Sequence, residues 1–131
     1  MLINRRHALT VLAALSFAAA LPAAALQMSK FTADALAAAQ KTGNPVLVEI
    51  SAPWCPTCKA QRPTLDRLLG SDKYKSFVTL DVDFDSQKAD VAALKANSQS
   101  TLIVFKGTTE MGRSVGVTDP AAIEALLAKA L

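Results

Sequence analysis

Trp54-Cys55-Pro56-Thr57-Cys58-Lys59 holds both cysteines of the chain, two residues apart. That spacing lets two sulfurs meet at the first turn of a helix and alternate between dithiol and disulfide. Just upstream, Val46-Leu47-Val48-Glu49-Ile50 is a nearly continuous apolar run with β-branched residues, closed by Ser51. Such a run reads as a strand buried on both faces. From Cys55 to Leu69 the pattern is helical, and Pro63 inside it removes a backbone donor and introduces a kink. Strand, C-x-x-C and helix, in that order, is the context in which this spacing acts as a redox motif.

The flanking sequence predicts the remaining elements. Thr32 caps a helix through Gln40, which Gly43 and Pro45 bring to an end. Phe77–Asp83 alternates towards its end and reads as the next strand. Ser86 is expected to cap a helix running to about Asn97. Thr101-Leu102-Ile103-Val104-Phe105 is a second buried strand, followed by a turn at Lys106-Gly107 and an antiparallel partner at Arg113–Val117. Thr118 is expected to cap a final helix, with Pro120 in its first turn and Ile123, Leu126, Leu127 and Leu131 on one face. The order α-β-α-β-α-β-β-α predicts an α/β fold, a central mixed sheet flanked by helices. Asp81, Asp83 and Asp85 alternate with Val82 and Phe84. This spacing suits one face of a strand and its end, because the glycine and glutamate of a calcium loop are missing.

The 131-residue chain is long enough for one domain, yet it begins with something different. A charged start with paired arginines, Asn4-Arg5-Arg6-His7, leads into an apolar run from Leu9 to Leu21. Pro22 and Ala23-Ala24-Ala25 follow. Charged start, short apolar middle and small-residue end predict an export signal over residues 1–25, cleaved near Ala25, with residues 26–131 as the mature domain. The arginines resemble a twin-arginine signal, and both that route and the general secretory route stay open. The competing reading is a retained anchor, for which the apolar core is short of the ~20 residues that span a bilayer. A periplasmic location follows, where disulfides form and persist. Loss of Arg5 and Arg6 lowers the formal charge of +3 by two. No basic patch is interleaved with aromatics, so a nucleic-acid partner is not expected. His7 is the only histidine, and its loss with the signal excludes Cys–His proteolysis and His-containing zinc sites within one mature chain.

The mature chain resembles the thioredoxin family along essentially its whole length. Tryptophan precedes the first cysteine, lysine follows the second, and Pro63 lies five residues after Cys58. Glu49 stands at the position of the family's buried acid, and Asp83 matches an aspartate that ends the next strand. Thr101–Lys106 matches the hairpin strand, and Gly116 a glycine flanking the active site. Two departures stand out. Pro56-Thr57 replaces Gly-Pro between the cysteines, and Ser100 replaces the cis-proline that faces the disulfide and helps substrates dock as an added strand, with Gln99 before it. The resemblance implies a thioredoxin-like fold, a redox-active Cys55–Cys58 pair, and substrate contacts at Trp54, Pro56, Thr57, Gln99, Ser100, Thr101 and Gly116.

The chemistry expected of this site is thiol–disulfide exchange. Cys55, at a helix N-terminus, is favoured as a thiolate and attacks a substrate disulfide, and Cys58 resolves the mixed disulfide. Glu49 has two readings: a buried acid of raised pKa that exchanges a proton with Cys58, or a solvent-facing strand residue. Trp54 either shields the sulfurs and contacts substrate or packs at a loop edge, and the Thr57 hydroxyl is expected to face solvent. Protein thiols and disulfides are the expected partners, with a membrane electron-transfer partner for recycling and no cofactor or metal. A reductase is favoured over an oxidant by a small margin. The alternative is a non-enzymatic module of the same fold that holds a metal, an iron–sulfur cluster or a partner protein through the two cysteines.

Overall fold

The computed structural model describes residues 28–131, so the export signal expected at 1–25 lies outside the described residues. Among the described residues five strands and four helices follow one another: β1 (Ser29–Lys30), α1 (Ala33–Lys41), β2 (Val46–Ser51), α2 (Pro56–Leu69), β3 (Val78–Asp83), α3 (Lys88–Ala93), β4 (Thr101–Lys106), β5 (Thr109–Val115) and α4 (Pro120–Ala128). The strands form one sheet in the order β1-β3-β2-β4-β5. β3 runs parallel to both β1 and β2, whereas β4 is antiparallel to β2 and β5 to β4. This is the mixed, helix-flanked sheet that the pattern predicts. β1 is an addition, because two residues are too few to show a strand period.

β2 lies at the centre, paired on both sides, and the alternation of its side chains divides the core. Val46, Val48 and Ile50 point to one side, where they join Leu80, Val91 and Ile103 beneath α1 and α3. Leu47 points to the other side with Leu65, Leu102, Val104, Ile123 and Leu127, beneath α2 and α4. Glu49 has the parity of Leu47, so a carboxyl group is inserted on the α2 side of the sheet.

Several boundaries differ from expectation, each for a local reason. Thr32 caps α1 as expected, its hydroxyl accepting from the Ala35 N–H at 3.0 Å. Ser86 does not cap α3: its N–H and hydroxyl both donate to Asp83 Oδ1, which also accepts from Asp85 N–H, and a turn forms there. α3 therefore starts at Lys88 and is shorter than expected, ending at Ala93. β5 starts at Thr109, four residues before Arg113, and a bulge between Val104 and Phe105 breaks the alternation that would have revealed it. Asp119 replaces Thr118 as the cap of α4, with its carboxylate 2.9 Å from Ala122 N. Leu131 is exposed beyond the end of α4, and Ala130 fills the core in its place.

Candidate active site

The site is assembled where β2 hands over to α2. Ala52 and the two residues after it make a turn closed by Cys55 N–H donating to Ala52 O at 3.1 Å. Cys55 is then the N-cap of α2, with Pro56 at the first helical position, where its missing N–H costs nothing. The Cys58 N–H donates to Cys55 Sγ at 3.1 Å, and Lys59 N–H to Cys55 O at 3.2 Å. The sulfur of Cys55 thus does the work of a capping oxygen. In the reduced protein the same donor and the helix dipole favour a thiolate at this atom. Cys55 and Cys58 are disulfide-bonded, with Cα atoms 5.3 Å apart. Both are buried and pack with Ala52 and Phe84.

Trp54, beside the buried pair, is 55% exposed. Its indole N–H donates to Asp85 Oδ2 at 2.6 Å, which fixes the ring at the rim of the site. Pro56 is exposed and Thr57 half-buried.

Glu49 is fully buried, which rules out the solvent-facing reading. Its Oε1 lies 3.2 Å from an Arg62 terminal nitrogen, while Oε2 is buried without a hydrogen-bond partner. Burial is the largest influence and pushes its pKa up from the usual 4.5 to about 7. Arg62 opposes that shift, and the carboxylates of Asp81 and Asp66 add to it. Asp81 is the register partner of Glu49 on β3 and accepts from the Ser51 hydroxyl at 2.6 Å. Arg62 also rests against Met28 Sδ. A groove of about 600 Å³ opens beside this cluster, lined by Ser51, Cys58, Lys59, Arg62, Asp66 and Asp81. Cys58 lines it and Cys55 does not, so the two sulfurs have different surroundings.

The remaining predicted residues gather at the same end of the sheet. Thr101 pairs with Ile50 of β2 on one side and Val115 of β5 on the other. Thr101 is buried, and its hydroxyl donates to Ser98 O at 2.7 Å; Gln99 is half-buried. Ser100 is buried with φ +55°, in the left-handed region that a non-glycine residue seldom enters. Among the described residues no peptide bond is cis. The position where the resemblance implies a cis-proline is instead a left-handed serine. Gly116 is left-handed too, at φ +69°, and its N–H donates to Ser100 O at 3.0 Å.

Sequence reasoning missed Arg62 and Asp81 as parts of the site, and Gln61 as a buried group behind it. Gln61 is fully buried, and its amide nitrogen lies 2.8 Å from Val117 O and 3.4 Å from Ser100 O. The signal was helical spacing: Cys58, Gln61, Arg62 and Leu65 fall at i, i+3, i+4 and i+7, one face of α2.

A model of the family described as Thioredoxin matches residues 24–129. The chain belongs to the thioredoxin family. It is 37% identical over 98 residues to a thioredoxin of Echinococcus granulosus, covering 74% of this chain and 89% of that protein. A thioredoxin of Chlamydia muridarum is 36% identical over 84 residues, covering 64% of this chain and 80% of its own. Among solved structures, Trxlp from Edwardsiella tarda superposes with a TM-score of 0.74 at 36% identity, over 77% of this chain and 98% of that one. With family and cysteine geometry together, the protein is a thiol–disulfide oxidoreductase acting on protein thiols and disulfides through Cys55 and Cys58.

Proposed function

We propose that this thioredoxin-family protein is an exported reductase of protein disulfides. The observation that carries the reading is the placing of the two sulfurs. Cys55 caps α2 and accepts a backbone N–H, whereas Cys58 lines the groove together with Arg62, the ion-pair partner of the buried Glu49. In the reduced protein the Cys55 thiolate attacks one sulfur of a substrate disulfide. The substrate S–S bond breaks, one substrate thiolate leaves, and a mixed disulfide forms at Cys55. Cys58 gives its proton to the Glu49 carboxylate and attacks Cys55 Sγ. The second substrate thiolate leaves, and the Cys55–Cys58 disulfide closes. Two electrons have moved from the cysteine pair to the substrate. A pKa of about 7 for Glu49 suits this exchange, since an acid titrating near neutral pH both takes and returns a proton.

Trp54 at the rim and the backbone of Gln99, Ser100, Thr101 and Gly116 form the surface that meets the substrate, with Pro56 and Thr57 between the sulfurs. The reading of residues 1–25 as an export signal supports action in the periplasm. There, re-reduction requires a dithiol donor fed through a membrane electron carrier.

The test is trapping in the native host. Cys58→Ser leaves the attacking sulfur and removes the resolving one, so it should accumulate mixed disulfides at Cys55 with periplasmic proteins. Cys55→Ser should trap none and should lose the reduction of insulin by dithiothreitol. Wild-type rates from Cys55→Ser would sink the assignment, and a cytoplasmic pool of trapped partners would sink export.

A further inference from the structure

Gln61 is a fully buried amide on the face of α2 that also buries Cys58, Thr64, Leu65 and Leu68, one helical turn beyond Cys58. Its Nε2 reaches two carbonyls on two separate loops: Val117 O at 2.8 Å, after β5, and Ser100 O at 3.4 Å, before β4. Its Oε1 is buried with no partner. Leucine has a similar volume and would not bury an unpartnered side-chain oxygen, so packing alone does not call for an amide here. What it does instead is tie three chain segments together at one point.

The tie falls where the backbone turns left-handed. Ser100 is held left-handed against the preference of a side chain with a Cβ, and Gly116 is left-handed beside it. Ser100 O is where they meet: it accepts from Gly116 N–H and from Gln61 Nε2. The third segment is the helix that carries both sulfurs. The register Ile50↔Thr101↔Val115 puts both loops at the end of the sheet where β2 leads into the cysteines. The exposed side chains at that end, Trp54 and Val115, mark it as the face a bulky substrate meets.

We propose that Gln61 is a positioning residue for protein substrates: by bonding Ser100 O and Val117 O it holds the two loops in register with the Cys55–Cys58 pair, and so sets affinity for extended polypeptide disulfides. It takes no part in electron transfer, since neither sulfur is among its hydrogen-bond partners. A small disulfide needs only the sulfurs, whereas a polypeptide must also fit the loops. The inference rests on protein disulfides being the substrates.

The test compares Gln61→Leu and Gln61→Met with wild type, in steady-state turnover of insulin and of 5,5′-dithiobis(2-nitrobenzoate). Both variants keep the volume and remove the donor. The expected result is a KM for insulin raised about fivefold or more, with the constants for the small disulfide within twofold of wild type. An unchanged KM for insulin, or an equal loss with both substrates, overturns the proposal. A measurement on the unaltered protein decides independently of whether the variants fold. The Gln61 side-chain amide protons should exchange with solvent far more slowly than those of Gln40 on α1, and equal exchange overturns it. Failure of the reductase reading looks different: wild type would turn over neither disulfide, and amide exchange would still report on the two bonds of Gln61.

Discussion

At Glu49, burial and charge act on one proton in opposite directions, and burial prevails. Arg62 offers a guanidinium at 3.2 Å, yet it is itself 38% exposed and shares its charge with water. The carboxyl group, fully buried with one oxygen unpartnered, ends with a pKa of about 7. The consequence for stability has a definite sign. A carboxyl whose folded pKa lies above its unfolded value of about 4.5 binds its proton more tightly in the native state. Its favourable contribution is complete below pH 4.5 and is lost as the pH rises through 7. The loss is at most on the order of 3 kcal/mol. Wild type should therefore lose stability between pH 5 and pH 8 in urea unfolding. Glu49→Gln, which is neutral throughout, should flatten that slope and slow the resolving step above neutrality. An unchanged slope in the variant would move the effect to another group. Arg62→Met removes the one opposing influence, so the titration of Glu49 in the rate profile should move to higher pH.

At the scale of elements, the caps separate what the sequence shows from what it hides. Thr118 and Asp119 are adjacent, and both are good N-cap residues before Pro120. Only the backbone decides: Asp119 has extended dihedrals and bonds Ala122 N, which puts Pro120 at the first helical position. Asp119→Ala should cost about 1 kcal/mol in chemical denaturation and Thr118→Ala close to nothing. Equal costs would return the cap to the sequence reading. Ser86 fails as a cap because its N–H and hydroxyl are turned back onto the Asp83 carboxylate three residues earlier, and the helix starts only at Lys88. β2, α2 and β4 were legible because long apolar runs have one physical meaning. Cys55 and Cys58 were legible as a pair because their spacing is local, whereas the burial of Glu49 was an expectation from the resemblance to the family. The other side of the site was not legible. Ser100 meets Gln61 across 39 residues of chain, Ser51 meets Asp81 across 30, and Arg62 meets Glu49 across the strand–helix turn. Such pairings depend on which strand lies beside which, a property of the folded sheet. The left-handed turn at Ser100 was hidden as well, because serine carries no mark of a positive φ as glycine does.

For the whole molecule, redox state and folding are linked through one cycle, and the cycle tests the direction of electron flow. The folded protein differs from its unfolded chain in affinity for the disulfide by the difference in stability between its oxidised and reduced forms. If the oxidised form is the more stable, folding lowers the reduction potential of the pair and makes it a donor. If the reduced form is the more stable, folding makes it an oxidant. Two features of the structure pull against each other. The crosslink between Cys55 and Cys58 closes a very short loop, whose entropic constraint on the unfolded chain is about 2 kcal/mol in favour of the oxidised form. The N-cap position of Cys55 favours the reduced form by stabilising its thiolate through the Cys58 N–H and the dipole of α2, an effect of up to about 2 kcal/mol at a buried helix end. The two are of similar size, and the buried Glu49 nearby tips the balance, because while ionised it disfavours a second negative charge among the sulfurs. The oxidised protein should therefore unfold at higher urea than the reduced one at pH 7, by about 1 kcal/mol or less, which corresponds to roughly 20 mV or less for a two-electron couple. Paired unfolding curves in the presence and absence of reductant make the measurement. A reduced form more stable than the oxidised one would reverse the direction proposed for the enzyme and leave its fold, its cysteines and its family untouched.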